Sequence, residues 1–367
     1  MTDLTINKQL PILVTGGGGY IGTHVVELLL SKGYKVRIFD KFVFGKEILG
    51  DLKNNSNLEV HQGDISNLYK LTLAMKDTQA LVHLAGIVGD PACALNPDFT
   101  SHMNNASTKI VKDLSKSFSL KRFIFASSCS VYGSSDEIVN EKSKLNPVSL
   151  YAKTKIDSEK ELLEDKTEHF HPTILRFATV FGHSRRPRFD LVTNFFTAQA
   201  YVDGLITVKG SDQWRPFVHV YDIAQAIYKV LIANASTVNR EIFNVGDDKI
   251  NTTIGELAKT VASVVKISKD DKPVKIAVDD SLDDPRNYRV SFKKINNKLK
   301  FSSSKSLREG IAEMHQKFID GEYLNNYKDK KYINVEMTKL MQAEFLDKSY
   351  RSNSISLLSN LPLSSSL

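Results

Sequence analysis

Cysteine is scarce in this chain: 2 of 367 residues, Cys93 and Cys129. That is too few for a disulfide framework. Long apolar runs are missing as well. None approaches the ~18 residues of a membrane span, because charges or glycines break every candidate. The opening MTDLTINKQL lacks the basic-then-apolar layout of a signal peptide. A soluble, cytoplasmic protein without a membrane span is expected, and no metal site. Nor is charge gathered into one face. The formal net charge is +7, but the lysines lie in mixed-sign stretches such as KLKFSSSKSLREG, which read as solvated surface rather than a nucleic-acid site. One cluster stands apart, Arg185, Arg186 and Arg188 in GHSRRPRFD. A guanidinium fork bonds two phosphate oxygens at once, so arginines packed this closely suit a phosphate. No internal repeat is visible.

What is present is an alternation. Short aliphatic runs at ILVT (12–15), KVRIF (35–39), LEVHQ (58–62), ALVHL (80–84), RFIFAS (122–127) and PTILRF (172–177) read as strands. Longer helix-compatible stretches separate them, among them YIGTHVVELLLSK, FTSHMNNASTKIVKDLSKSF and VSLYAKTKIDSEKELLED. Strands apolar on both faces, alternating with helices, make a parallel sheet covered on two sides. The expected fold class is α/β, a doubly wound parallel Rossmann sheet over residues 10–180. A smaller C-terminal substrate-binding lobe is expected over 181–325, with a segment near 215–248 returning to the sheet. Residues 326–367 run from a charged helical stretch, INVEMTKLMQAEFLDK, into a Ser, Asn and Leu-rich end. They read as a weakly ordered tail.

The first strand leads into TGGGGYIG and then a helix, the context in which a glycine motif identifies a dinucleotide site. Gly16 makes the tight turn, Gly19 admits the pyrophosphate to the backbone, and Gly22 lets helix and strand pack closely. Gly17 and Gly18 are the positions this spacing leaves free. Asp40, eighteen residues past Gly22 at the end of the second strand, can bond the ribose hydroxyls and repel a 2′-phosphate, favouring NAD. Lys41 beside it leaves NADP as an alternative.

With these features go HLAG (83–86), SSCSVYG (127–133), YAKTK (151–155), RFATVFG (176–182) and RPFVHVYDIA (215–224). From about Pro11 to Ile311 the chain resembles the extended short-chain dehydrogenase/reductases, in their nucleotide-sugar epimerase and dehydratase branch. The resemblance implies that Tyr20 and Ile21 join the glycines at the cofactor, and that Asp64 and Ile65 flank the adenine. Leu84, Ala85 and Gly86 would line the ribose and phosphates, and Asn104 would support the sheet near the nicotinamide. Ser128, Tyr151 and Lys155 would be catalytic, the last two also touching cofactor. Asn194, Arg188, Arg215 and Arg286 would hold a nucleotide diphosphate, with Val88, Ser130 and neighbouring Ile87, Gly89 and Asp90 at the sugar. Phe217 could line the pocket or belong to the core. The implied assembly is a homodimer through helices at 99–118 and 149–165.

Tyr151 and Lys155, four apart on a helix, share a face. An ammonium beside a phenol favours phenolate, lowering a pKa that is ordinarily about 10, so Tyr151 is expected to act as a base. In this family dehydratases carry a glutamate two residues before the second motif tyrosine, and decarboxylases often share it. Here Ser130 stands there, preceded by Cys129. What remains is 4-epimerisation through a transient 4-keto sugar, with hydride passing to and from bound NAD. The alternative is a 4-keto-sugar reductase, or a reductase that also epimerises, for which Cys129 and His183 would be acid and base. A dinucleotide-sensing regulator would ordinarily lose the tyrosine or lysine kept here.

Overall fold

The structure is a computed structural model describing residues 5–267, 273–279, 284–323 and 327–345. Seven strands form one parallel sheet: β1 (Ile12–Thr15), β2 (Val36–Asp40), β3 (Leu58–Gln62), β4 (Ala80–His83), β5 (Arg122–Ser128), β6 (Pro172–Phe177) and β7 (Ile242–Val245). Their order across the sheet is β7-β6-β5-β4-β1-β2-β3. The chain reverses direction of winding between β1 and β4, and in open α/β sheets ligands bind in the crevice at such a reversal. Every residue of β1, β4 and β6 is buried, which is why their sequences are mostly apolar and do not alternate with polar residues. β3 lies at an edge and is half exposed, so it alternates. β7 follows an excursion of some sixty residues, yet pairs with β6 from Ile242↔Ile174 to Val245↔Phe177.

The segment after β6 builds its own apolar core around Phe181, Phe196, Ile206, Phe217, Leu257, Val261 and Ile311. Phe217 is a core residue. No helix among the described residues is long and apolar enough to cross a membrane. Both cysteines are free and buried.

Two elements depart from the sequence expectation. The helix expected over 99–118 divides into Pro97–Ser101 and Ser107–Ser117, joined by a wider π turn at His102–Ala106. Such turns interrupt regular helices and often accompany functional sites. This one turns Asn105 towards the neighbouring helix Leu150–Glu164, where its Nδ2 donates to Thr154 O at 2.9 Å and Ser158 Oγ at 3.2 Å. The second departure is the expected weakly ordered tail. Residues 334–345 are helical, and Val335, Met341 and Phe345 pack against the sheet's second apolar cluster. The expectation failed because the stretch was judged by its charges. Its apolar residues recur at helical spacing and need a surface only the folded protein supplies. Residues 346–367, the rest of that expected tail, lie outside the described residues.

Behind the sheet's carboxyl edge lies a charge pair that sequence reading did not find. Glu159 and Arg176 meet at 2.6 Å with side chains 4% and 3% exposed. Ser127 Oγ donates to Glu159 Oε1 at 2.5 Å, and Arg176 Nη1 donates to Tyr132 Oη at 3.0 Å. Tyr132 in turn donates to Asn244 Oδ1 at 2.8 Å. The network ties β5, β6, β7 and the helix Leu150–Glu164 together one residue from Ser128.

Candidate active site

The glycine loop closes over the carboxyl ends of β1 and β4. Gly16 has φ +74°, and a Cβ there would lie 2.8 Å from Ala85 N. At Gly22 it would lie 2.1 Å from Gly16 O. Both obstacles are backbone, so no side chain fits. A Cβ at Gly19 would meet only Gly16 O, at 3.1 Å, leaving that position open towards the cleft. Gly17 and Gly18 are less free than the motif spacing suggests. Added Cβ atoms would come within 2.8 Å of Ile38 and 2.9 Å of Phe42, because the loop packs on β2 as well as β4. The following helix, Gly22–Ser31, has no side-chain cap and no acidic residue in its first turn. Thr23 N donates to Gly19 O and Val25 N to Ile21 O, both at 3.1 Å, and the helix start carries partial positive charge that favours an anion.

Asp40 sits at the mouth of this loop. Its Oδ2 accepts from Gly18 N at 2.9 Å and its Oδ1 from Phe42 N at 2.6 Å. A carboxylate offers about four acceptor sites, so two remain for ribose hydroxyls. Lys41 is held between Asp64 Oδ2 at 3.2 Å and Glu344 Oε2 at 2.8 Å. Its charge is already countered, which removes the reason for considering a 2′-phosphate. Gly16, Gly19, Tyr20, Ile21, Gly22, Asp40, Asp64, Ile65, Leu84, Ala85, Gly86, Val88, Tyr151, Lys155 and Arg188 all line one cleft. Asn104 stands behind it, its Oδ1 accepting from Ile87 N at 2.8 Å and its Nδ2 donating to Ile87 O at 3.0 Å. It fixes the turn after Gly86.

Tyr151 and Lys155 lie on the helix Leu150–Glu164, which starts where Ser149 Oγ accepts from Ala152 N. The same Ser149 hydroxyl donates to Asp90 Oδ1 at 2.6 Å. Ser128 ends β5, where its Oγ accepts from Ser130 N at 3.1 Å, and lies near enough to the Tyr151 phenol to favour its ionised form. Lys155 Nζ donates to Ala126 O at 2.8 Å and stands 5.8 Å from the centre of the Tyr151 ring. Here the electrostatics differ from expectation. Burial raises the Tyr151 phenol above its ordinary value, and the nearby Ser128 offsets only part of that. Burial also brings the Lys155 ammonium down to about 8. A dry cleft disfavours both charged forms, and Lys155 spends one N–H on a carbonyl rather than on the phenol.

The paired acid and base considered for Cys129 and His183 are not brought together. Cys129 Sγ donates to Arg176 O at 3.3 Å and burial pushes its thiol up. His183 faces a separate cavity with His24, Glu313 and Tyr323, and burial holds its imidazole down to about 4. Ser130 is buried, with no partner for its hydroxyl among the described residues, and is not part of the cleft lining.

The arginines also sort differently. Arg188 grips Asp190 through Nε and Nη2, both at 2.9 Å. Arg286 pairs with Asp284 at 2.5 Å and Asp90 at 3.1 Å, and Arg215 shares Asp284 at 3.0 Å. Asn194, expected against a diphosphate, is 1% exposed. Its amide bonds Tyr20 Oη at 3.1 Å, Arg188 O at 2.9 Å and Gly182 N at 3.0 Å, so it braces the loop rather than facing the cleft. Arg186 was not singled out from its cluster, yet it is the buried one that lines the cleft with an unpartnered Nε. It stacks 3.6 Å from the centre of the Phe44 ring and donates to Asn334 Oδ1 at 2.7 Å. Only the fold separates it from Arg185, which pairs with Asp51 and Glu27 on the surface.

Residues 12–246 match the NAD dependent epimerase/dehydratase family. The chain belongs to that family. This family member is 28% identical over 254 residues to a putative UDP-glucose 4-epimerase of Methanocaldococcus jannaschii, covering 67% of this chain and 79% of the relative. It is 29% identical over 266 residues to a UDP-glucuronate 4-epimerase of Thermodesulfobacterium geofontis, covering 69% and 80%. Among solved structures, the UDP-glucuronic acid 4-epimerase of Bacillus cereus, in complex with UDP-glucuronic acid and NAD, superposes with a TM-score of 0.74 at 25% identity, over 86% of this chain and 100% of its own. Proteins named as 4,6-dehydratases and a decarboxylase match as well. The protein is an NAD-dependent enzyme of the nucleotide-sugar epimerase/dehydratase type.

The residues of this epimerase/dehydratase-family cleft fit that cofactor. A glycine loop closed to a Cβ at Gly16 and Gly22 but open to the cleft at Gly19, an uncapped helix start, a carboxylate with acceptor sites to spare and a buried guanidinium with an unpartnered Nε are what a dinucleotide needs. Replacing Asp40 by Ala removes both the ribose acceptor and the tie to Gly18. NAD affinity is expected to fall by about one to two orders of magnitude, a loss of ~1.4–2.8 kcal/mol. NADP, freed from charge repulsion, should gain relative to it. Fluorescence titration with the two reduced cofactors measures both; an unchanged NAD to NADP ratio would remove Asp40 from the ribose site.

Proposed function

We propose that the protein is a nucleotide-sugar 4-epimerase acting on a UDP-hexose or UDP-hexuronate. The observation that supports this reading is the composition of the centre: Tyr151 and Lys155 line the cleft, with Ser128 next to the lining residue Ser127, while the positions where the dehydratase pattern has its acid hold the buried Cys129 and Ser130. A hydroxyl cannot be expelled without a proton donor placed on it. An alcohol can be oxidised and returned by groups that handle one proton at one oxygen. When bound, NAD supplies the hydride acceptor and donor for that chemistry.

The roles follow from the site. Ser128 orients the sugar's C4 oxygen and relays its proton, and Tyr151 receives that proton and later restores it. Lys155, charged below about pH 8, lowers the cost of the phenolate. Arg186 and Arg188 face the diphosphates, and Asp64 and Ile65 the adenine. The relatives named for UDP sugars support uridine as the base. Self-association through the helices at 99–118 and 149–165 belongs to the same proposal, and a monomer in sedimentation velocity would remove it.

Incubation of the purified enzyme with UDP-glucose and, separately, UDP-glucuronate, followed by chromatography, tests the activity. The expected product is the C4 epimer at an equilibrium ratio, with no net change in nicotinamide absorbance. Stoichiometric consumption of added NADH by a 4-keto sugar, without epimer formation, would favour the reductase instead.

A further inference from the structure

The cleft has a wall from outside the matched region. Met337, Thr338 and Met341 line it alongside the glycine loop, Ile65 and Tyr151. All three come from the helix 334–345, some ninety residues past the end of the family match at 246. Twelve residues at 1.5 Å per residue make about 18 Å of helix, enough to run along much of a bound dinucleotide. Asn334, Met337, Thr338, Met341 and Phe345 recur at steps of three and four, so they share one face.

Both ends of that helix are fastened, and to opposite ends of the cleft. At its start, Asn334 N donates to Asp190 Oδ2 at 3.2 Å and Asn334 Nδ2 to Val88 O at 3.3 Å, while its Oδ1 receives Arg186. Those partners lie beside Arg188 and Tyr151. Towards its other end, Glu344 pairs with Lys41 at 2.8 Å, next to Asp40. Phe345 packs 5.0 Å from the Phe99 ring and 5.2 Å from His102. The outward face carries Leu340, 60% exposed.

We propose that the helix 334–345 is part of the NAD-binding site, closing the cleft over the cofactor and setting how slowly it leaves. Met337, Thr338 and Met341 pack on the dinucleotide from the side opposite the glycine loop. Asn334 is a positioning residue that holds Arg186 in place, and the Lys41–Glu344 pair latches the adenosine end. Retention suits a reaction in which the cofactor ends unchanged and has no need to exchange. The binding role rests on the NAD site alone, and this advantage rests on the epimerase reading.

The test measures release of NADH from the full-length protein, by stopped-flow fluorescence after mixing with excess NAD. Met341→Glu puts a carboxylate into the apolar wall, and Asn334→Ala cuts the two side-chain ties at the helix start, to Val88 O and to Arg186. Each is expected to accelerate release at least tenfold. Glu344→Lys acts at an exposed side chain, where folding is not at risk, and should accelerate release severalfold through repulsion from Lys41. Leu340→Glu on the outer face is the control and should match wild type. Unchanged release in Glu344→Lys and in the folded member of the other pair would overturn the proposal, as would equal acceleration by Leu340→Glu. The readout involves no sugar. A protein that holds NADH slowly but epimerises nothing keeps this role for the helix and loses the activity proposed above.

Discussion

Tyr151→Phe is expected to lower turnover by about two to four orders of magnitude, the usual contribution of a positioned proton-transfer group, while leaving bound NAD in place. The substitution deletes one oxygen from a partly buried ring and keeps its packing. What is lost is the phenol that lines the cleft beside Ser128, the group assigned to take the proton. Lys155 cannot substitute. Its ammonium is held at Ala126 O, 5.8 Å from the Tyr151 ring centre, and at pH 7 it carries its proton because its pKa lies near 8. The defect should therefore fall on kcat with KM little changed, since an interaction made mainly in the transition state is removed. Initial rates of epimer formation, with protein-bound NAD measured on the same preparation, check both halves. Activity within tenfold of wild type would take Tyr151 out of the chemistry.

Glu159→Ala is expected to cost about 3–5 kcal/mol of folding stability, the penalty for stranding one member of a buried ion pair. Arg176 would keep its charge at 3% side-chain exposure with its carboxylate gone. Tyr132 offers it a single hydroxyl oxygen, which does not replace two carboxylate oxygens. Ser127 would also lose its acceptor, and Ser127 adjoins Ser128. Urea denaturation followed by circular dichroism should show a much lower midpoint. The double variant Glu159→Leu with Arg176→Met removes both charges and should recover most of the loss, because an apolar pair of similar volume is often as stable as a buried salt bridge. A single variant that unfolds at the wild-type midpoint would mean that the pair contributes nothing.

The two outcomes probe different kinds of legibility. Tyr151 and Lys155 were legible as a pair because they share a helix face four residues apart, and Ser128 was named by the family resemblance of SSCSVYG. Glu159 and Arg176 looked like ordinary charges in KTKIDSEKELLED and TILRFATV. Nothing in the spacing of residues seventeen positions apart, on a helix and a strand, announces that their side chains meet in the dark of the core. The arginine cluster shows the same limit at closer range. GHSRRPRFD promises an anion site, but the promise does not say which guanidinium lines the cleft without a carboxylate partner. Among the described residues it is Arg186, because Arg188 is claimed by Asp190 two residues on and Arg185 by Asp51 and Glu27 from elsewhere in the chain.

The sequence by itself determined the parallel sheet, the glycine loop with its carboxylate at Asp40, the Ser–Tyr–Lys set and the absence of an acid at Ser130. Each depends on residues near one another in the chain, where periodicity and steric demand act directly. Only the tertiary structure decided the burial that raises the Tyr151 phenol, the neutralisation of Arg188, Arg215, Arg286 and Lys41, and the docking of residues 334–345 across the cleft. Those are properties of neighbours brought together from distant segments. A charge, a phenol or an amphipathic helix takes its meaning from the dielectric and the partners around it, and the fold is what supplies them.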